Sequence, residues 1–208
     1  MLNRAFLESA ESLVARLAAQ IENVDIAPTS DRNRISAACF HLALEHHEAI
    51  VHLIRHNLSG SAFALIRPLF EGYVRGIWLG KSATELELCS FQKGILEKNF
   101  GELLSDVEKY NAYDDGILTE VKKNSWSAMC DFAHGGALQI NRRITSDSIA
   151  ANYKCEEIVE VLTFASAIGI LLTAEVAVLA QQLHIVPKLH EEMKKLEFQK
   201  NRSPDVMK

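Results

Sequence analysis

The chain has 208 residues, 48% hydrophobic and 24% charged, with a net charge of −5. Its 10 glycines and 4 prolines exclude collagen-like and Pro/Gly-rich disordered classes, and the acidic balance excludes a general DNA- or RNA-coating surface while leaving room for a local basic pocket. The cysteines, Cys39, Cys89, Cys130 and Cys155, form no C-x-x-C pair and read as free buried thiols of a reducing compartment.

The predicted elements are helical throughout. Leu2, Phe6, Leu13, Leu17 and Ile21 mark one face of a first helix over 3–24, and Ser30 or Asp31 caps a second that runs to about 58. Ser59-Gly60-Ser61 reads as a break, a third helix covers 62–79, and Thr84 opens a segment reaching 111 with a break near Gly94 or Gly101. Asp114 or Asp115 caps a fifth helix that ends at Gly135-Gly136, and 139–152 reads as loop. A sixth, very apolar helix spans 154–184 and stops at Pro187. The N-terminus is charged in every turn, unlike a signal peptide. The longest uncharged stretch, 161–174, falls short of the ~20 residues that span a bilayer. These features predict an all-α protein, cytoplasmic and without membrane contact: one helical bundle of five to seven helices over 1–186, then a short charged helix and frayed tail over 187–208.

The third helix carries two stripes. Gly60, Ala64, Pro68, Gly72, Gly76 and Gly80 recur at every fourth position, which predicts close approach of another backbone, because each interior Gly costs up to ~1 kcal/mol in a helix. Arg67, Glu71 and Arg75 recur in the same step beside them. Glu71 can bond both guanidinium groups, and one positive charge is left over. On an enclosed helix that charge requires an acidic partner or an anionic ligand; the alternative is a purely structural Arg–Glu–Arg network.

The second helix is rich in histidine. His41, Glu45, Glu48 and His52 fall on one polar strip with Arg34 and Arg55. The strip reads either as a solvated face held by i,i+4 pairs or as a binding surface turned toward Arg67, Glu71 and Arg75. A metal site is a third reading, although no Glu-x-x-His pair of the carboxylate di-iron type occurs. In the fifth helix, Asp131 and His134 share a face in the last turn, where His134 reads as a helix C-cap or as an acid, base or phosphate donor. P-loop, G-x-G-x-x-G, H-E-x-x-H and G-x-S-x-G motifs are absent, and the residues imply no cofactor.

Arg67-Pro-Leu-Phe-Glu71-Gly-Tyr-Val-Arg75-Gly-Ile-Trp-Leu, followed at a distance by Asp131-Phe-Ala-His134-Gly, resembles uncharacterised bacterial all-α families in which an Arg-x-x-x-Glu helix and a later His-Gly pair recur. The likeness covers about 34–143. More loosely, the chain is similar to the HEPN superfamily of small helical proteins, many of them RNA-cleaving toxins or phage-defence components. That resemblance implies a metal-independent ribonuclease with His134 or His41 as base and Arg67 or Arg75 as phosphate clamp. The superfamily's Arg-to-His spacing is met here by Arg34 and His41, and no Arg precedes His134 at that distance. The expected partners are RNA or a nucleotide-type anion, and a second copy in a C2 homodimer through the sixth or third helix. A non-enzymatic dimerisation or adaptor module and a metal-dependent helical-bundle enzyme are the alternatives.

Overall fold

Helix boundaries in the computed structural model, which describes residues 4–24, 26, 30–110 and 113–202, fall where the capping chemistry puts them. α1 (Arg4–Ile21) leads to α2 (Asp31–Arg55), whose N-cap Ser30 accepts a hydrogen bond from the Asn33 N–H at 3.2 Å. Residues 25 and 27–29 of the connection between them, and the expected frayed tail from 203 onward, lie outside the described residues.

The expected third helix is divided into α3 (Ser59–Ala64) and α4 (Ile66–Ile77), joined at Leu65. Pro68 is the cause: it has no N–H for the Ala64 carbonyl, and its ring crowds that carbonyl. Ser59-Gly60-Ser61, expected as a break, forms the first turn of α3. After α4 the helix widens into a π-turn over Trp78–Ser82, where the Ala83 N–H reaches the Trp78 carbonyl at 2.8 Å. Arg32 steadies this turn from α2, donating to the Leu79 and Ala83 carbonyls at 2.8 and 2.7 Å.

Thr84 with Glu87 and Asn99 with Glu102 form capping boxes that start α5 (Glu85–Gln92) and α6 (Phe100–Val107). Gly94, at φ +79°, is the break between them, whereas Gly101 lies inside α6. The Asp115 carboxylate accepts the Ile117 N–H at 3.0 Å and starts α7 (Ile117–Ala133), which Gly135 ends at φ +66°. The segment read as loop contains α8 (Ala137–Asn141) and an isolated pairing of Ile144 with Ile149. α9 (Cys155–Leu179) ends before Gln181, which takes a left-handed turn at φ +58°. Pro187 begins rather than stops a helix: it is the second residue of α10 (Val186–Arg202), where a missing N–H breaks no bond. The chain is thus a single all-α domain, 77% helical, with no strand among the described residues.

The small-residue stripe does what its spacing predicts over three of its positions. α4 and the π-turn lie antiparallel on α2, with Gly72 against Ala43, Gly76 against the Phe40 ring and Gly80 against Ser36. Ser36 adds a hydrogen bond to the Gly76 carbonyl at 2.8 Å. Gly60 meets Arg143 and Tyr153 instead. The main core gathers Phe40, Ile50, Phe63, Leu69, Phe70, Tyr73 and Leu162; a smaller one, with Leu13, Leu17, Ile170 and Leu189, holds α1 and α10 on α9. By length and composition α9 is apolar enough to cross a membrane, but 67% of that stretch is buried inside the domain, as in the core helix of a soluble protein. The four cysteines are free; Cys89 is exposed and the other three are half-buried, less enclosed than their count and spacing suggested.

Candidate functional site

The Arg67–Glu71–Arg75 ladder sits on the edge of α4 that the bundle leaves half open. Arg67 Nε donates to Glu71 Oε1 at 2.7 Å, and Arg75 Nη2 to Glu71 Oε2 at 3.2 Å. The side chains are 25%, 19% and 28% exposed, so the ladder is neither enclosed nor free in solvent. Among the described residues no other carboxylate pairs with either guanidinium, so two cations share one anion. Arg75 Nε is buried with no hydrogen-bond partner, which leaves the ladder one acceptor short as well as one negative charge short.

His134 joins this ladder from α7. The Gly135 turn leaves the imidazole exposed at the helix end, and its Nε2 lies 2.5 Å from Arg67 Nη1. Arginine only donates, so Nε2 is the acceptor in this contact. Arg67 also lies over the Trp126 ring, 4.8 Å from its centroid, while Phe100 stacks on that ring at 4.4 Å and 9°. Two groups this close cannot share one face, so the indole is sandwiched and Arg67 is held in place by a cation–π contact. A groove of about 710 Å³ opens beside Trp126, with Lys122 and Lys123 in its wall. Trp126 escaped sequence reading because nothing in the one-dimensional order ties it to Arg67.

Asp131, expected beside His134 in the site, has a structural task. Its carboxylate accepts the Leu138 and Gln139 N–H groups at 2.7 and 3.3 Å and so caps α8. The strip on α2 is not brought to Arg67. Burial pushes the Cys39 thiol up and the Arg75 charge offsets part of that rise, which puts the Cys39 flank of α2 beside the ladder. His41, Glu45 and Glu48 instead border α1, and Arg55 pairs with Glu11 there at 3.5 Å. His41, Glu45, Glu48 and His52 are exposed, with His52 Nε2 3.4 Å from Glu48 Oε1. Arg34 lies 3.8 Å from Asp31, both well exposed. Among the described residues no group of three or more His, Cys, Asp or Glu side chains is placed to hold a metal ion, so the metal-dependent alternative has no ligand set.

A second polar cluster was not anticipated. Glu175, 8% exposed in the most apolar helix, accepts from the Tyr113 hydroxyl and from Lys81 Nζ at 2.9 Å. Lys81 also donates to the Tyr113 oxygen at 2.9 Å. Burial, with the Glu175 charge beside them, pushes both Tyr113 and Tyr73 up, so both stay protonated. Nearby, Asp106 binds Lys109, Lys98 and the Trp78 indole, and is held down to about 2 by them. Glu175, the single charged residue over 161–179 of α9, was the one available signal.

Fold and site together define an all-α domain with a half-open, cation-rich Arg–His edge. A model for a family of unknown function, DUF6988, matches residues 40–199, and the chain belongs to that family. No curated protein and no solved structure matches it.

Proposed function

We propose that the Arg67–His134 edge binds the phosphate of a nucleotide-type ligand, and that with RNA it catalyses metal-independent cleavage. The observation that carries this reading is the 2.5 Å contact between Arg67 Nη1 and His134 Nε2, beside a ladder with one surplus positive charge. A phosphate arriving at Arg67 exchanges that hydrogen bond for a stronger, charge-assisted one and frees the Nε2 lone pair. His134 then takes the proton from the ribose 2′-hydroxyl. The 2′-oxygen bonds to phosphorus, Arg67 stabilises the charged phosphorane, and the bond to the 5′-oxygen breaks. The products are a 2′,3′-cyclic phosphate and a 5′-hydroxyl, which receives the proton back from the imidazolium. DNA lacks the 2′-hydroxyl and binds without being cut.

Cleavage of a labelled RNA in the presence of EDTA, alongside the same sequence as DNA, tests this. Wild type should cut RNA alone, His134→Ala should bind without cutting, and Arg67→Ala should do neither. Uncut RNA with unchanged phosphate binding would leave a binding module; no binding at all would end the reading. Within the same proposal fall the HEPN-like toxin or defence setting, a bacterial cytoplasm and a C2 homodimer. Val178, Leu183 and Val186, apolar and exposed around the end of α9, supply the contact in that dimer.

A second reading rests on Glu71, which already engages both guanidinium groups. On it, the ladder is a structural tie from α4 to α7 in a non-enzymatic adaptor. Arg67→Ala then lowers stability and changes no ligand binding.

A further inference from the structure

We propose that the groove beside Trp126 continues the phosphate site along α7, so that the ligand is a single RNA strand held at several consecutive phosphates and not a mononucleotide. The proposal rests on the phosphate reading of Arg67 and His134 and adds the class of substrate to it. α7 sets the geometry. Lys123, Ser127 and the C-cap His134 follow one another at steps of four and seven residues, which places them along one face of the helix. The rise of 1.5 Å per residue puts about 16 Å of helix between Lys123 and His134, and one phosphate cannot touch both ends. Trp126 lies between them and belongs to both places: Arg67 sits over its ring at 4.8 Å, and the same side chain lines the groove. Asn99, Gly101 and Ser105, at the start of α6, form the opposite wall. The volume of about 710 Å³ is that of a small-molecule site; it takes part of a flexible strand and excludes a duplex.

The charge in the groove is not spent within the protein. Among the described residues neither Lys122 nor Lys123 pairs with a carboxylate. Glu102, the one carboxylate in the wall, is engaged by its own helix cap, where it accepts the Asn99 N–H at 2.7 Å. The Ser105 hydroxyl donates to the Gly101 carbonyl and the Thr119 hydroxyl to Glu108. Lys122 is also seated: a Cβ on Gly101 would stand 3.1 Å from its Nζ, so the ammonium occupies the notch that this glycine leaves in α6. The groups left to meet a ligand are two ammonium groups, the Asn99 amide N–H and the Ser127 hydroxyl, all of them donors. An anionic ligand rich in acceptors matches that set.

The mode of reading follows from Trp126. Single strands are commonly held by stacking bases on exposed aromatic rings. Here Phe100 stacks on one face of the indole at 4.4 Å and 9°, and Arg67 covers the other. With both faces taken, the ring offers no platform to a base, and the contacts go to phosphates and sugars. Such contacts position a strand without reading its sequence. Affinity therefore rises with the number of phosphates and is indifferent to the bases. An acidic peptide meets the same lysines, but it brings no phosphate to Arg67 and no 2′-hydroxyl to His134.

The probes are deoxyuridine monophosphate and the deoxyuridine tetranucleotide, which lack the 2′-hydroxyl and stay intact, titrated into the full chain between about 50 and 200 mM salt. Wild type should bind the tetranucleotide ~10-fold more tightly at the lower salt, with a salt slope steeper by ~1.4, at ~0.7 for each of two further phosphates neutralised. Lys122→Ala combined with Lys123→Ala, both on the solvent side of α7, should bring the tetranucleotide down to the affinity and slope of the mononucleotide. The deoxyadenosine tetranucleotide should bind within ~3-fold of the deoxyuridine one, because no base is stacked. Mononucleotide binding with no gain for the tetranucleotide would overturn the groove and leave the phosphate reading standing; binding of neither would end both. A gain that survives loss of the two lysines, a strong preference among bases, or equal binding of a duplex or of a tetraglutamate peptide would also overturn the proposal.

Discussion

The bundle holds two polar clusters of opposite construction. Lys81, Tyr113 and Glu175 come from three distant segments, balance one cation against one carboxylate, and bond to each other in a closed ring. Arg67, Glu71 and Arg75 come from one helix, carry a surplus cation, and leave Arg75 Nε unpaired. Their carboxylates differ in depth, 11% exposed for Glu175 against 19% for Glu71, while Lys81 at 29% is as exposed as Arg67 and Arg75 at 25% and 28%. A low-dielectric interior accepts a charge only when it is neutralised on the spot. The balanced cluster can therefore bury its carboxylate, while the unbalanced one stays at an edge where an anion can reach it.

The largest test of that rule uses a group that the interior keeps neutral. His47 is held at about 4, below its ordinary 6.5, by burial. The unfolded chain therefore binds a proton between those values that the native protein refuses. Stability is full above pH 6.5, falls as pH drops toward 4, and is about 3 kcal/mol lower at the bottom of the window. Urea unfolding across this range should show the slope in wild type and lose most of it in His47→Leu. A residual slope belongs to His46, half-buried and lowered for the same reason. An unchanged slope in the variant would show that the interior tolerates the charge, and the contrast between the clusters would lose its basis.

Breaking the balanced cluster comes next. Glu175→Leu leaves Lys81 without its carboxylate, and we expect a loss of ~2 kcal/mol, below the usual cost of splitting a buried pair because Lys81 is 29% exposed and can turn to water. Adding Lys81→Met should restore most of the loss. The Tyr113 hydroxyl loses its acceptor in both, so recovery will be incomplete.

How each cluster could be read from sequence follows from how it is built. The ladder was visible because i,i+4 spacing on one helix is one-dimensional information. The stripe of Gly72, Gly76 and Gly80 was visible for the same reason and foretold its backbone contact. Asp131 misled because two residues on one helix face can serve different neighbours; the next short helix claimed its carboxylate. The strip from His41 to His52 had the right period but no sign of which side of α2 would face α4. Phe40 and Ala43 decide that, by fitting the glycines. Lys81, Tyr113 and Glu175 meet only through tertiary packing around a π-turn, which no local pattern announced. Pro68 was legible as a defect, though not as the point that divides α3 from α4.

The smallest effect on stability carries the sharpest discrimination. Glu71→Gln removes the one anion of the ladder, keeps its shape, and should cost no more than ~1 kcal/mol because all three side chains touch solvent. Its effect on ligand binding separates the two readings, a gain under one and none under the other. If the ladder is a phosphate clamp, releasing both guanidinium groups raises affinity for inorganic phosphate or a mononucleotide several-fold, and steepens the fall of affinity with salt because more positive charge meets the ligand. If the ladder is a tie between helices, the variant weakens the tie and phosphate still does not bind. Calorimetric titration of wild type and Glu71→Gln at two salt concentrations, with Arg67→Ala as the control that should bind nothing, separates them. A gain of affinity in Glu71→Gln that disappears in Glu71→Gln with Arg67→Ala assigns the surplus charge to Arg67; a gain that persists assigns it to Arg75, whose buried Nε would then be the group that was waiting for an acceptor.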